Sequence, residues 1–201
     1  MNEAPRAYKD FDLAALESLS RYKLLTSAII PRPIAWVTTR STKGVINAAP
    51  FSQFLVVSYD PPLLAISVAF GKRKKDTQRN IEDTGEFVVN TVPEHAAELI
   101  QKCSNDYPPD VSEVEELGLK LLPSQKLSVP RLAISAVHFE CRLKQMIEVG
   151  DSPNQLIIGD VVLMHVEQKL IHDQKIDAEA YRTLARIGGR NYLRFGEIVT
   201  V

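Results

Sequence analysis

Cysteine is scarce in this sequence: the two present, Cys103 and Cys141, lie far apart and in no CxxC spacing. That argues against a zinc site and against a disulfide framework, and it reads both as buried free thiols. No apolar run approaches the roughly 18 residues that a bilayer span requires. The opening residues, MNEAPRAYKDFD, mix both charges without an apolar core, so no export signal is expected and the cytoplasm is the default compartment. Charge of one sign is not in excess either. Against 24 Lys and Arg stand 25 Asp and Glu, which gives no reason to expect a nucleic-acid or membrane partner.

Catalytic signatures are also missing. The chain has no GxSxG, no GxxxxGK[ST] and no HExxH. Its four histidines, His95, His138, His165 and His172, have no metal-like spacing with a carboxylate or thiol. They read as surface or satisfied core residues. No side-chain nucleophile stands out and no catalytic residue is named. An enzyme built on this chain would draw its chemistry from a cofactor.

What is present is ordinary globular composition, 45% hydrophobic and 24% charged over 201 residues, ample for a sizeable core. DLAALESLSRYKLL (12 to 25) carries leucines near helical spacing and stops before IIPRP, so a short helix is predicted. From Ile34 the character changes to strands: IAWVTTR, VINAAP, SQFLVVS, LLAISVAF (63 to 70) and EFVVNTV (86 to 92). Two long strand-like stretches, 132 to 149 and 155 to 171, flank GDSPN and are predicted to pair as a hairpin. Helices are few. DTQRNIEDTG is predicted to start at an Asp or Thr cap and to stop at Gly85, and PEHAAELIQKC (93 to 103) has Pro93 at its first position. Residues 104 to 130 read as a surface excursion with at most one helical turn. Many strands with a few peripheral helices suggest an antiparallel barrel.

Four stretches carry potential chemistry. In FGKRKKDTQRNI (70 to 81), Lys72, Arg73, Lys74 and Lys75 precede Asp76 and Thr77, with Asn80 inside the helix. A helix start presents free N–H groups and a positive dipole end, so a lysine and a threonine there make a phosphate receptor. The same residues also read as a solvated charged loop. In GVINAAPFSQF (44 to 54), Asn47 and Ser52 offer donors and acceptors, and Ala48 lets a flat ligand approach. The alternative is a turn closing a hairpin. Trp36 in PRPIAWVTT is either a core residue or a stacking surface. RIGGRNYLR (186 to 194) either brings backbone near a ligand or makes a turn.

Taken in order, PRPIAWVTT, GVINAAPFSQF, DPPLLAISV, RKKDTQRNI and GEFVVN resemble the flavin reductase-like family of FMN-binding split-barrel proteins. The resemblance runs from about Tyr22 to Val92 and resumes at HFECRL, IIGDVVLMHV and RIGGRNYLR. It implies one domain over 1–201, a six-stranded antiparallel Greek-key split barrel, non-covalent FMN and a homodimer. On matching positions it implies Lys75, Asp76 and Thr77 around the phosphate, with Asn80 nearby. Thr38, Thr39, Asn47, Ala48 and Ser52 would surround the ribityl chain and ring edge, and Ser67 and Val68 would contribute backbone. Arg186 to Tyr192 would cover the flavin or reach it across the dimer. The function implied is an NAD(P)H-dependent flavin reductase with a monooxygenase or another electron acceptor as partner. An FMN-carrying electron-transfer protein and a non-catalytic flavin binder are the other readings left open.

Overall fold

A computed structural model describes residues 6–69, 73–109, 111–151 and 154–201. Phe70 to Lys72 of the basic stretch, Asp110 of the excursion, and Ser152 and Pro153 of the expected hairpin turn lie outside the described residues.

In chain order the elements are α1 (Ser18–Ala28), β1 (Arg32–Pro33), β2 (Ala35–Arg40), β3 (Ile46–Phe51), β4 (Phe54–Tyr59), β5 (Pro62–Val68), α2 (Asp76–Thr84) and β6 (Glu86–Thr91). Next come α3 (Ala97–Cys103), α4 (Glu113–Glu116), β7 (Leu121–Leu122), β8 (Arg131–Leu132), β9 (Val137–Val149) and β10 (Asn154–Val166). The chain ends through β11 (Ile171–His172), β12 (Lys175–Ile176), α5 (Ala178–Tyr181), β13 (Ala185–Gly188) and β14 (Asn191–Leu193).

The protein is mainly β, and its helices are short. The principal sheet is antiparallel, with strand order β3-β2-β6-β9-β10-β5-β4. Among the described residues this sheet has seven strands, against the six expected. Its two edges, β3 and β4, are consecutive in sequence and joined only by Ser52 and Gln53. Two linking residues span about 10 Å at most, so the sheet must curl until its edges approach. No ladder joins those edges among the described residues, and the seam stays split at Ser52.

The expected hairpin is present as β9 and β10, paired from Asn154 with Val149 to Val166 with Val137. The strands are shorter than the apolar runs, because Ala133 to Ala136 turn away before Val137. A register shift falls at Gly159, where an added Cβ would lie 2.3 Å from Cζ of the buried Phe87 ring. Glycine is required there because the aromatic ring occupies the side-chain position.

Strand β2 is buried on both faces. Ile34 and Trp36 join one apolar cluster with Ile100, Cys103, Val114 and Leu132. Ala35 and Val37 join the other with Ile66, Ile81, Phe87 and Ile157. Trp36 is fully buried, which resolves it as core. Each such large side chain contributes about 1.5–3 kcal/mol. Cys103 and Cys141 are free and buried as expected, and burial raises the Cys103 thiol to about 12.

Helix α2 begins one residue earlier than an Asp76 cap implies and two earlier than a Thr77 cap. Lys75 occupies the N-cap position with no side-chain cap bond, and Gly85 closes the helix at φ 70°. Thr77, Gln78, Asn80 and Ile81 face inward. The 104–130 excursion is docked rather than loose: Ser112, Glu113 and Val114 are buried. No helix among the described residues is long and apolar enough to cross a membrane.

Candidate functional site

A cleft of about 100 Å³ opens where α2 begins. Its walls include Asn47, Pro50 and Phe51 from β3, Lys75, Asp76 and Thr77 from α2, and Tyr107 and Glu113 from the excursion. A second cleft, about 180 Å³, is lined by Tyr22, Ile34, Ser52, Arg186 and Tyr192. The two share Pro50 and Ser104 as walls and so run on from one another. One end carries Arg73 and Lys75 together with Asp76, Asp106 and Glu113. The other carries Tyr22 and Tyr192, with the Arg186 guanidinium 4.7 Å from the centre of the Tyr192 ring.

The cations of the basic stretch divide into distinct roles. Arg73 donates to both Asp76 carboxylate oxygens (3.1 and 2.9 Å) and to the Tyr107 carbonyl (2.6 Å), stapling the start of α2 to the excursion. Asp76 also holds Arg79, and Lys74 pairs with Glu82. Lys75 has no hydrogen-bond or ion-pair partner among the described residues and faces the cleft. The first N–H groups of α2 lack intrahelical acceptors beside it. An ammonium at an uncapped helix start is able to receive an anion.

Of the other residues singled out from the sequence, Asn47 joins Thr77. The two ends of its amide lie 2.9 Å from Thr77 Oγ1 and 3.2 Å from Glu113 Oε1. That contact puts Asn47 beside Thr77 in the cleft at the start of α2. Ser52 lies in the second cleft. The Thr38 hydroxyl is spent internally, donating to the Pro130 carbonyl (2.7 Å) and accepting from Asn90 (3.2 Å). The Thr39 hydroxyl accepts from Asn80 Nδ2 at 3.0 Å. Thr38, Thr39, Asn80, Ala48 and Val68 are buried, because β2 and its neighbours are covered on both sides. The Ser67 N–H donates to the Gln53 carbonyl (2.9 Å), bracing the seam beside Ser52.

A larger hollow of about 800 Å³ is lined in part by Arg131, Ser135, His138 and His165. Size does not make it the better candidate. His138 is bonded to Asn90 (2.9 Å) and His165 to the buried Glu140 (2.6 Å), while Arg131 donates twice to the Pro123 carbonyl. Among the described residues no group of His, Cys, Asp and Glu gathers to hold a metal.

The Flavin reductase like domain matches residues 27–182. The chain belongs to this family. An uncharacterized protein of Halalkalibacterium halodurans is 44% identical over 192 residues, covering 90% of this chain and 91% of its own. Nitrilotriacetate monooxygenase component B from Bacillus cereus superposes with a TM-score of 0.93 at 37% identity, covering 98% of this chain and 100% of that one. The 2-nitrobenzoate 2-nitroreductase NbaA of Pseudomonas fluorescens reaches 0.88 at 33% identity, covering 96% and 95%. The fold is accordingly the split barrel of the flavin reductases.

The cleft suits the flavin expected of a flavin reductase-like protein. The unpaired Lys75 and open start of α2 match a phosphate, and the aromatic second cleft matches a planar ring. Ser112 and Glu113 were missed from sequence. Ser112 caps α4 and donates to the Ile46 carbonyl (2.6 Å), and Glu113 Oε2 accepts the Ala48 N–H (3.1 Å). The Ser-x-x-Glu spacing of Ser112 and Glu115 marked the helix start. Nothing local marked its docking onto β3.

Proposed function

We propose that this chain is an FMN-binding oxidoreductase acting as an NAD(P)H-dependent flavin reductase. The observation that carries the reading is Lys75, a cation with no protein partner among the described residues, beside the free N–H groups of α2 in a cleft that continues into an aromatic one. Lys75, Thr77 and the α2 backbone would hold the phosphate; Ser52, Pro50 and the Arg186–Tyr192 segment would flank the ring. When bound, FMN supplies two-electron redox chemistry, linking a nicotinamide donor to a second acceptor. The chain's own contribution is orientation and exclusion of water, and no side chain is needed as acid or base. The similarity to a monooxygenase component B supports a protein acceptor. The similarity to a nitroreductase supports a second reading, in which a small organic acceptor is reduced directly.

Edge strand β4 supports a homodimer. Leu55, Val56 and Val57 are about half exposed and Tyr59 is 90% exposed, beside an apolar groove of about 380 Å³. An uncovered apolar edge is a liability that a second copy would relieve. The two buried free thiols fit a reducing cytoplasm.

Anaerobic mixing of the FMN-loaded protein with NADH or NADPH tests the activity. Rapid loss of flavin absorbance that turns over with added FMN is the expected result. Loss with neither nucleotide refutes the reductase and leaves an electron carrier or flavin binder.

A further inference from the structure

Glu113, Asn47 and Thr77 are each more than nine-tenths buried, yet all three line the cleft at the start of α2. They form a chain of hydrogen bonds with one free choice, the orientation of the Asn47 amide. In one orientation Nδ2 donates to Glu113 Oε1 (3.2 Å) and Oδ1 accepts from the Thr77 hydroxyl (2.9 Å). The Thr77 hydrogen is then consumed inside the protein, and only lone pairs remain for the cleft. In the other orientation Nδ2 donates to Thr77 Oγ1 at 2.9 Å, which frees the hydroxyl hydrogen, and gives up the 3.3 Å contact by which Oδ1 shares the Ala48 N–H, leaving that N–H to Glu113 Oε2 alone. Oδ1 then faces Glu113 Oε1, and two acceptors at 3.2 Å require a proton on the carboxyl.

We infer that these three residues are a proton-coupled relay: a phosphate ester entering the cleft draws one proton from solvent onto Glu113, turns the Asn47 amide and makes Thr77 a donor. This rests on the reading of the cleft as the FMN phosphate site. The amide turns within its own volume, so no backbone need move. Glu113 is prepared for the proton. Burial raises its affinity above the ordinary carboxylate range and Asp76 adds to that, while the Ala48 N–H and Arg73 oppose it. An arriving phosphate anion pushes the same way as Asp76.

The groups facing Glu113 are few. Arg73, Lys75 and Asp76 come from α2 and the residues before it, Cys103 from α3, and Asp106 and Tyr107 from the loop that follows. Glu115 and Glu116 on α4 are exposed, and β3 carries no titratable side chain. Arg73 and Asp76 are paired with one another. Cys103 is a thiol raised to about 12, so it does not titrate in the relevant range.

The test titrates apoprotein with FMN and with riboflavin, which lacks the phosphate, from pH 6.5 to 8.5, above the ester's own ionisation near ~6. For the wild type, FMN affinity should fall as pH rises, by up to about tenfold per unit, while riboflavin affinity stays flat. In Glu113→Gln the carboxamide can donate permanently to Asn47 Oδ1 and still accept the Ala48 N–H. That variant should bind FMN without pH dependence and about tenfold more tightly than wild type at pH 8.5. Calorimetry in two buffers should show up to one fewer proton taken up. Asn47→Ala should also lose the slope, and it serves if the Gln variant fails to fold. A variant slope equal to that of wild type, or a flat wild-type FMN profile, overturns the relay. Equal affinity for FMN and riboflavin at every pH removes the phosphate reading beneath it as well.

Discussion

Glu113 and Glu140 are both buried carboxyls, and the protein treats them oppositely. Glu140 is fully buried in the sheet, where it accepts the N–H groups of Gln125 (2.8 Å) and Lys126 (2.7 Å) and the ring of His165 (2.6 Å). Burial works against its charge, but these donors outweigh it and hold the carboxyl below its ordinary range. Glu113 has the Ala48 N–H and one end of the Asn47 amide, and burial, with Asp76 adding to it, outweighs them and pushes its carboxyl up. A carboxylate given three donors is committed to one state. One given fewer keeps a choice of proton, and that choice lies on the wall of the cleft. The same division separates the internal Thr38–Asn90–His138 network from the Asn47–Thr77 pair.

If the division is right, variants in the closed network should change stability and spare FMN, and variants in the open cleft should do the reverse. The largest effect is expected for Glu140→Ala, which strands His165 and two N–H groups. It should lose about 3–5 kcal/mol in urea unfolding with FMN affinity unchanged in the folded fraction. Lys75→Ala combined with Thr77→Ala should weaken FMN by about 1.5–3 kcal/mol, roughly ten- to a hundredfold, without changing riboflavin binding. His138 gives a pH signature. Burial, aided by Arg131, lowers it to about 4, so below about 6.5 the unfolded chain binds more protons than the folded one. Stability should be complete above about 6.5 and decline as pH falls toward 4, by at most about 1.4 kcal/mol per unit, and His138→Gln should flatten that decline. The smallest effect is Thr38→Val, about 1 kcal/mol of stability with no loss of FMN affinity. A large loss of FMN affinity in that variant would blur the division.

The strands of the central sheet were legible because β-branched and aromatic runs alternate with turn residues from Ile34 to Val92 and again in β9 and β10. Helix α2 was legible from its stop at Gly85 and its charged start. The inward spending of Thr38, Thr39 and Asn80 was not, because periodicity does not tell a strand covered on one face from one covered on both. The sorting of Arg73 from Lys75 was partly visible, since Arg73, Asp76 and Arg79 stand at i, i+3 spacing. Glu113 was out of reach. Its partner Ala48 lies 65 residues away, and only tertiary docking brings a segment read as a surface excursion onto β3.

The central claim is that the start of α2, with Lys75 unpaired, receives the phosphate of FMN. Titrating the wild-type apoprotein with FMN and riboflavin under identical conditions, followed by flavin fluorescence, tests it most directly. FMN binding at least about tenfold more tightly than riboflavin is the expected result, and equal affinities for the two flavins would contradict it.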